Sequence, residues 1–177
     1  MIKQLLLVVL AIVALIAIRA SFVAPTFRVA RSTTIKAPPE KVFTLINDFR
    51  NFGSWSPWEH LDPAMQRSIT GPANGGPGAV YEWSGNSKAG QGRMEILESS
   101  APRHVKIKLD FLRPFRSSNM ADYTIEPEGD GTKVTWAMYG PSPFPSKVMQ
   151  VFISMDDMLG KDFDKGLAAL KTLAEKS

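Results

Sequence analysis

Hydrophobic and polar positions divide the chain into three regimes. From Leu5 to Ile18 every residue is apolar; Lys3 precedes this run, and Arg19 separates it from a second, largely apolar stretch, Ala20–Ala24, that stops at Pro25. From Phe27 to Gly140 most of the chain alternates with a period of two, the signature of strands with one wet and one dry face. The last thirty or so residues repeat at every third or fourth position, which predicts a helix.

In the middle regime, Phe27–Ile35 reads as a strand, with Val29 and Ile35 on one parity and Ser32 and Thr34 on the other. Pro38 and Pro39 then suit a helix's first turn, and Val42, Phe43, Leu45 and Ile46 give a short helix ending near Asp48. A second short helix is predicted over Phe49–Trp55, closed by Ser56-Pro57. Gln66–Thr70 is a weak strand before a Gly- and Pro-rich surface loop, Gly71–Gly78. Ala79–Ser84 and Gln91–Ser99 flank Gly85-Asn86 as a hairpin. His104–Phe111 alternates most cleanly, with Val105, Ile107, Leu109 and Phe111 on one side and His104, Lys106, Lys108 and Asp110 on the other. Ser117–Pro127 and Thr132–Gly140 flank a second strong turn, Glu128-Gly129-Asp130-Gly131.

After a proline-rich loop, Lys147 to about Ala174 is expected to form one long helix whose apolar seam runs through Val148, Phe152, Met155, Leu159, Phe163, Gly166, Leu170 and Leu173. A helix with a single seam needs a partner surface, and the dry face of the sheet is large enough to supply it. The expected fold class is therefore α+β: a curved antiparallel sheet wrapped around a long C-terminal helix. Two units are expected, an N-terminal membrane anchor over residues 1–25 and one globular domain over residues 26–177.

The N-terminal segment admits two readings. Its apolar core is short, as in a cleavable signal peptide. Ile2–Ala24 is nevertheless long enough to cross a bilayer if Arg19 sits at an interface, and Phe22 spoils the small-residue spacing that cleavage requires. A retained single span is the favoured reading, with the side of the domain left open because Lys3 opposes Arg19, Arg28, Arg31 and Lys36.

Three stretches carry a family resemblance: Arg31 to Phe43 (RSTTIKAPPEKVF), Phe49 to Trp58 (FRNFGSWSPW) and Phe163 to Leu170 (FDKGLAAL). Together with the element order they resemble the START-like, polyketide cyclase/dehydrase and Bet v 1 superfamily, often called SRPBCC. The Trp55–Trp58 and Met155–Phe163 stretches are most similar to its membrane-anchored bacterial group. The resemblance implies the helix-grip fold over nearly the whole domain. It leaves activity open, since the superfamily includes lipid carriers, hormone receptors, aromatase/cyclases and co-chaperone domains.

Composition narrows the chemistry. The absence of cysteine removes disulfides, thiolate metal sites and Cys nucleophiles. The net charge is +4, and two of the cations belong to the N-terminal segment, so the domain is too balanced and its charges too scattered for a nucleic-acid binder. His60 and His104 lack the companions that a triad or a metal site needs. No catalytic constellation, metal or cofactor is expected, and an enzyme is the less favoured reading.

A sheet curling over a helix leaves hollow space between them, which is the natural ligand site. The residues expected to line or gate it are Trp55, Trp58, Tyr81, Trp83, Met94, Trp136, Met138, Met155, Met158 and Leu159. Methionines suit an adaptable apolar pocket, and Trp55 and Trp58 sit in a Ser/Pro loop where aromatics with a purely structural role are less expected. The best polar candidates are Glu59 and Asp62 beside that loop, and Glu82, Arg93 and Glu95 on the central strands.

Three functions remain open. The leading expectation is a membrane-tethered module binding an apolar or amphipathic small molecule, such as a lipid or isoprenoid. The second is a cyclase- or aromatase-like enzyme that needs a buried carboxylate or phenol facing the cavity. The third is a protein-interaction module with a filled core and an exposed apolar patch near Phe111–Phe115.

Overall fold

Seven antiparallel strands form one continuous sheet in the order β1-β7-β6-β5-β4-β3-β2, in a computed structural model that describes residues 1–176. Ser177, the last residue of the expected domain, lies outside the described residues. The strands are β1 (Thr26–Ile35), β2 (Gln66–Thr70), β3 (Val80–Ser84), β4 (Gln91–Ser100), β5 (His104–Arg113), β6 (Ser117–Glu128) and β7 (Gly131–Pro141). Each expected strand is present, its ends moved by a few residues at most. The helices are α1 (Ile2–Ser21), α2 (Pro39–Asn47), α3 (Phe144–Gln150) and α4 (Met155–Glu175), with a 3-10 turn at Phe49–Ser54.

Alternation decides which face is dry. Met94 and Ile96 of β4, Val105, Ile107 and Leu109 of β5, Ala121, Tyr123 and Ile125 of β6, and Val134, Trp136 and Met138 of β7 are all buried. Against them α4 lays Phe163, Leu167, Leu170 and Ala174. Each large apolar side chain enclosed in this way contributes about 1.5–3 kcal/mol. This is the helix-grip arrangement, an α+β fold.

Two details fix how α4 sits on the sheet. A Cβ on Gly166 would lie 2.8 Å from the Trp136 ring, so only glycine lets the helix approach that closely. Arg31 lies on the inner parity of β1 with Val29, and its guanidinium forks onto Asp156 of α4 at 2.8 Å to each carboxylate oxygen. Asp164 lies 3.4 Å from the same group.

The expectation of one unbroken helix from Lys147 is corrected. The helical segment starts earlier, at Phe144, stops at Gln150, and resumes as α4 at Met155. Ser154 causes the restart: its hydroxyl accepts the Asp157 amide at 3.0 Å, satisfying an amide that would otherwise lack a partner at the start of a helix. Phe152, expected in the buried seam, lies in the break and is 71% exposed.

α1 is 20 residues long, and its length and apolar composition are enough to span a membrane. A signal sequence would meet the same criteria. Its side chains are mostly exposed, but Ala20 is fully buried and the helix packs against α3.

Candidate functional site

The cavity is built from the sheet, α4 and the turns and loop around them. The inner parity of β3, β4 and β5 contributes Tyr81, Trp83, Met94, Leu109 and Phe111; β7 contributes Met138; α4 contributes Leu159; and the loop after the 3-10 turn contributes Trp58, Glu59, Leu61 and Met65. Phe52 of that turn closes the wall, and Lys88 and Ala89 reach in from the β3–β4 turn. The space has a volume of about 230 Å³. Strand register sets these side chains level with one another: Tyr81 lies opposite Met94, and Met94 opposite Leu109. Trp83 lies across Gly92, its partner in β4, where an added Cβ would meet the indole at 2.3 Å, so this glycine makes the ring's position possible.

The loop from Trp55 to Met65 is held in place by two acids. Asp62 accepts the Ala64 amide at 2.9 Å and the Asn86 amide at 2.7 Å, pinning the loop to the β3–β4 turn. Glu59, 7% exposed, accepts the Tyr81 hydroxyl and the Arg67 Nε, the latter at 2.7 Å. Arg67 also donates to the Glu59 carbonyl at 2.8 Å and to that of Met65 at 3.1 Å. A buried carboxylate is tolerable only when paired and hydrogen-bonded, and this one is. Burial of Tyr81, reinforced by its hydrogen bond to Glu59, holds its phenol well above the ordinary value. The phenol therefore stays protonated at neutral pH and acts as a hydrogen-bond donor. Glu59 and Tyr81 form the polar corner of an otherwise mainly apolar cavity.

Of the ten residues singled out from the sequence, Trp58, Tyr81, Trp83, Met94, Met138 and Leu159 line this space. Trp55 and Trp136 do not reach it and stand behind the wall. Trp55 is 3% exposed, and its indole donates to the Leu45 carbonyl at 3.1 Å. Trp136 stacks on Phe163 with ring centres 4.2 Å apart and planes 3° from parallel, and Trp58 meets it edge-on at 5.4 Å. Met155 and Met158 lie on the first turns of α4, half-buried and exposed respectively, away from the cavity wall.

Among the polar candidates, Glu59 alone faces the cavity. Glu82, Arg93 and Glu95 fall on the outer parity, and Arg93 pairs with Glu95 at 2.7 Å. His60 is exposed, and His104 lies 3.1 Å from Asp122 on the outer face. Among the described residues no group of three or more His, Asp or Glu could hold a metal ion. Sequence reasoning missed Phe52, Leu61, Met65, Lys88, Ala89, Leu109 and Phe111 as lining residues. The parity of β5 already placed Leu109 and Phe111 on the dry face, whereas nothing local marks Lys88 or Ala89.

Solved structures with the same fold include a protein from Chromobacterium violaceum, at 16% identity and a TM-score of 0.58, covering 86% of this chain and 99% of that one. Ginseng major latex-like protein 151 from Panax ginseng is 13% identical with a TM-score of 0.60, covering 86% and 100%. The di-domain ARO/CYC protein BexL is 14% identical with a TM-score of 0.62, covering 90% of this chain and 53% of that one. No curated protein is significantly similar in sequence. The sequence profile described as "Polyketide cyclase / dehydrase and lipid transport" matches residues 26–175, which takes in every strand of the sheet and both helices that pack on it, and the chain belongs to that family.

Proposed function

We propose that the protein is a membrane-tethered module that binds a single-chain or single-ring amphipathic molecule in the cavity between sheet and α4. The observation that carries this reading is the combination of mainly apolar walls with one buried polar corner, Glu59 and Tyr81. Apolar walls favour hydrocarbon by removing it from water, and a few placed polar groups fix its orientation. Size narrows the class. An apolar cavity of about 150 Å³ admits benzene, so 230 Å³ suits one ring system or a short acyl or prenyl segment. The family description, with its reference to lipid transport, supports the same class. The N-terminal helix supplies the tether.

The test is native mass spectrometry of the full chain extracted from membranes, followed by titration with a fluorescent single-chain fatty acid. Retention of a small amphiphile and saturable binding are expected. Protein that carries nothing and ignores the probe would remove the proposal.

A second reading has one specific observation in its favour. A carboxylate and a phenol both face the cavity, and an enzyme of the cyclase or dehydratase kind needs at least one such group there. Glu59→Gln separates the two. If the site only binds, the variant loses affinity for amphiphiles that present a hydrogen-bond donor to the carboxylate and keeps its affinity for plain hydrocarbons. If the site catalyses, turnover of a bound polyketide-like substrate falls by about 100-fold or more, the ordinary contribution of a positioned acid or base.

A further inference from the structure

The strand ends and the turn that edge the cavity lie at the same end of the sheet as the end of α1. Register shows this directly: Thr26 at the start of β1 pairs with Pro141 at the end of β7, Ser117 pairs with Phe111 beside the β5–β6 turn, and Gln91 pairs with Arg113 and Ser84 beside the β3–β4 turn. Lys88 and Ala89, which edge the cavity, belong to the β3–β4 turn, Phe111 lies near the end of β5, and Leu159 belongs to the start of α4. The turn joining β6 to β7 lies at the opposite end.

This near end is apolar and basic. Phe22 is 84% exposed, Phe115 83%, Phe152 71%, Phe144 55% and Ile153 42%. Leaving such side chains in water is costly unless something covers them. Around them stand Lys88, Arg113, Arg116 and Lys147. Of the acids of this end, Asp156 pairs with Arg31 and Asp110 with Lys108, while Asp62 accepts backbone amides and Asp157 the Ser154 hydroxyl. The far turn is the reverse in character, with Glu126, Glu128 and Asp130.

From this geometry we infer that the near end of the domain seats on the lipid bilayer and that the cavity opens toward it, so that the ligand is exchanged with the membrane rather than with bulk water. The inference rests on the proposed function above, in its tether as well as its cavity. Tether length argues for it. Only Phe22 to Pro25 separate the end of α1 from β1, and four extended residues reach about 14 Å. Ala20 is buried and the Ser142 amide donates to the Pro25 carbonyl at 2.7 Å, so the helix end is fixed to the domain rather than hanging from it. A domain held this close places Phe115, Phe144 and Phe152 at headgroup depth, where aromatic rings are favoured, and its cations against anionic lipid.

The test uses the full chain in nanodiscs containing anionic phospholipid, and the absence of native cysteine makes site-specific labelling clean. Single variants Phe115→Cys, Phe152→Cys, Asp130→Cys and Val9→Cys carry a polarity-sensitive fluorophore, with nitroxide-bearing lipid as quencher. Labels at 115 and 152 are expected to shift to the blue and lose emission to the quencher, as the label at 9 does, while the label at 130 does neither. If position 9 is quenched and 115 and 152 behave like 130, the tether stands and the seating is wrong. If position 9 is also unquenched, the tether itself is wrong. Energy transfer between labels at 115 on two copies, without lipid quenching, would assign the patch to self-association and overturn the inference. As a second arm, the double variant Phe115→Asp/Phe152→Asp alters only exposed positions. It is expected to slow uptake of the fluorescent fatty acid from donor membranes while leaving its equilibrium affinity in detergent unchanged. Unchanged uptake kinetics would overturn the inference, and lost equilibrium affinity would count against the cavity instead.

Discussion

Trp136→Ala is expected to cost about 3–5 kcal/mol of stability, the usual range for removing a large aromatic from a core, and to lower Tm by roughly 10 °C or more. Among the described residues this is the largest of the fully buried side chains. Trp136 is 2% exposed, stacks on Phe163 of α4 and on Tyr123 of β6, and meets Trp55 and Trp58 edge-on. Removing it severs the contact that Gly166 makes possible, so α4 loses its seat on β7 along with the buried area. Trp136→Phe is the informative companion. The indole N–H has no hydrogen-bond partner among the described residues, so its removal relieves an unsatisfied donor while retaining most of the aromatic surface. Phenylalanine is therefore expected to cost far less than alanine. Thermal unfolding of the three proteins, followed by far-ultraviolet circular dichroism, checks the order; equal losses for both variants would show that the stacked contact is not what holds the helix.

Met94→Trp is expected to abolish high-affinity binding of apolar probes, with at least a tenfold loss, equivalent to about 1.4 kcal/mol. Met94 is 8% exposed and stands between Tyr81 and Leu109 on the cavity wall. A larger ring there occupies the space a ligand needs. Because the new bulk points into a void rather than into packed atoms, the usual overpacking cost of about 1–3 kcal/mol is expected to be largely avoided. Met94→Phe, with a smaller gain in volume, should give an intermediate affinity. Probe titration beside a melting curve makes the test: full binding by a folded Met94→Trp protein would place the ligand elsewhere.

Strand alternation made the sheet and its dry face legible before any coordinates. In β5 the parity of Val105, Ile107, Leu109 and Phe111 is the parity the fold uses. Turn chemistry was equally local: Gly129, in the turn before β7, has a positive φ of 61°, as a tight hairpin demands. The break between α3 and α4 was not legible from periodicity. Phe152 keeps the spacing of the seam, and only the capping hydroxyl of Ser154, one residue before Met155, marks the restart.

For the candidate site, the residue types were informative and their positions were not. Six of the ten aromatic and aliphatic residues singled out line the cavity; Trp55 and Trp136 share their chemistry but sit one layer behind. Which aromatic faces space and which faces another aromatic depends on how far the sheet curls and where α4 begins, and both are set by contacts between residues distant in sequence, such as Arg31 with Asp156. Glu59 shows the same division. Its place beside a tryptophan loop marked it as a polar candidate, but its pairing with Tyr81 and Arg67 required three separate segments to converge.

What the chain determined by itself was its periodicities, and with them the class of fold: a period of two buries one face of a strand and a period near 3.6 buries one stripe of a helix, whatever the partner. The tertiary structure alone decided that a void survives beneath α4, that one carboxylate and one phenol face it, and that the β3–β4 turn edging it lies at the end of the sheet where α1 joins the domain. Those are properties of where surfaces meet, and packing between surfaces is non-directional at the level of sequence: hydrophobic burial fixes which side chains leave water, not which of them become neighbours.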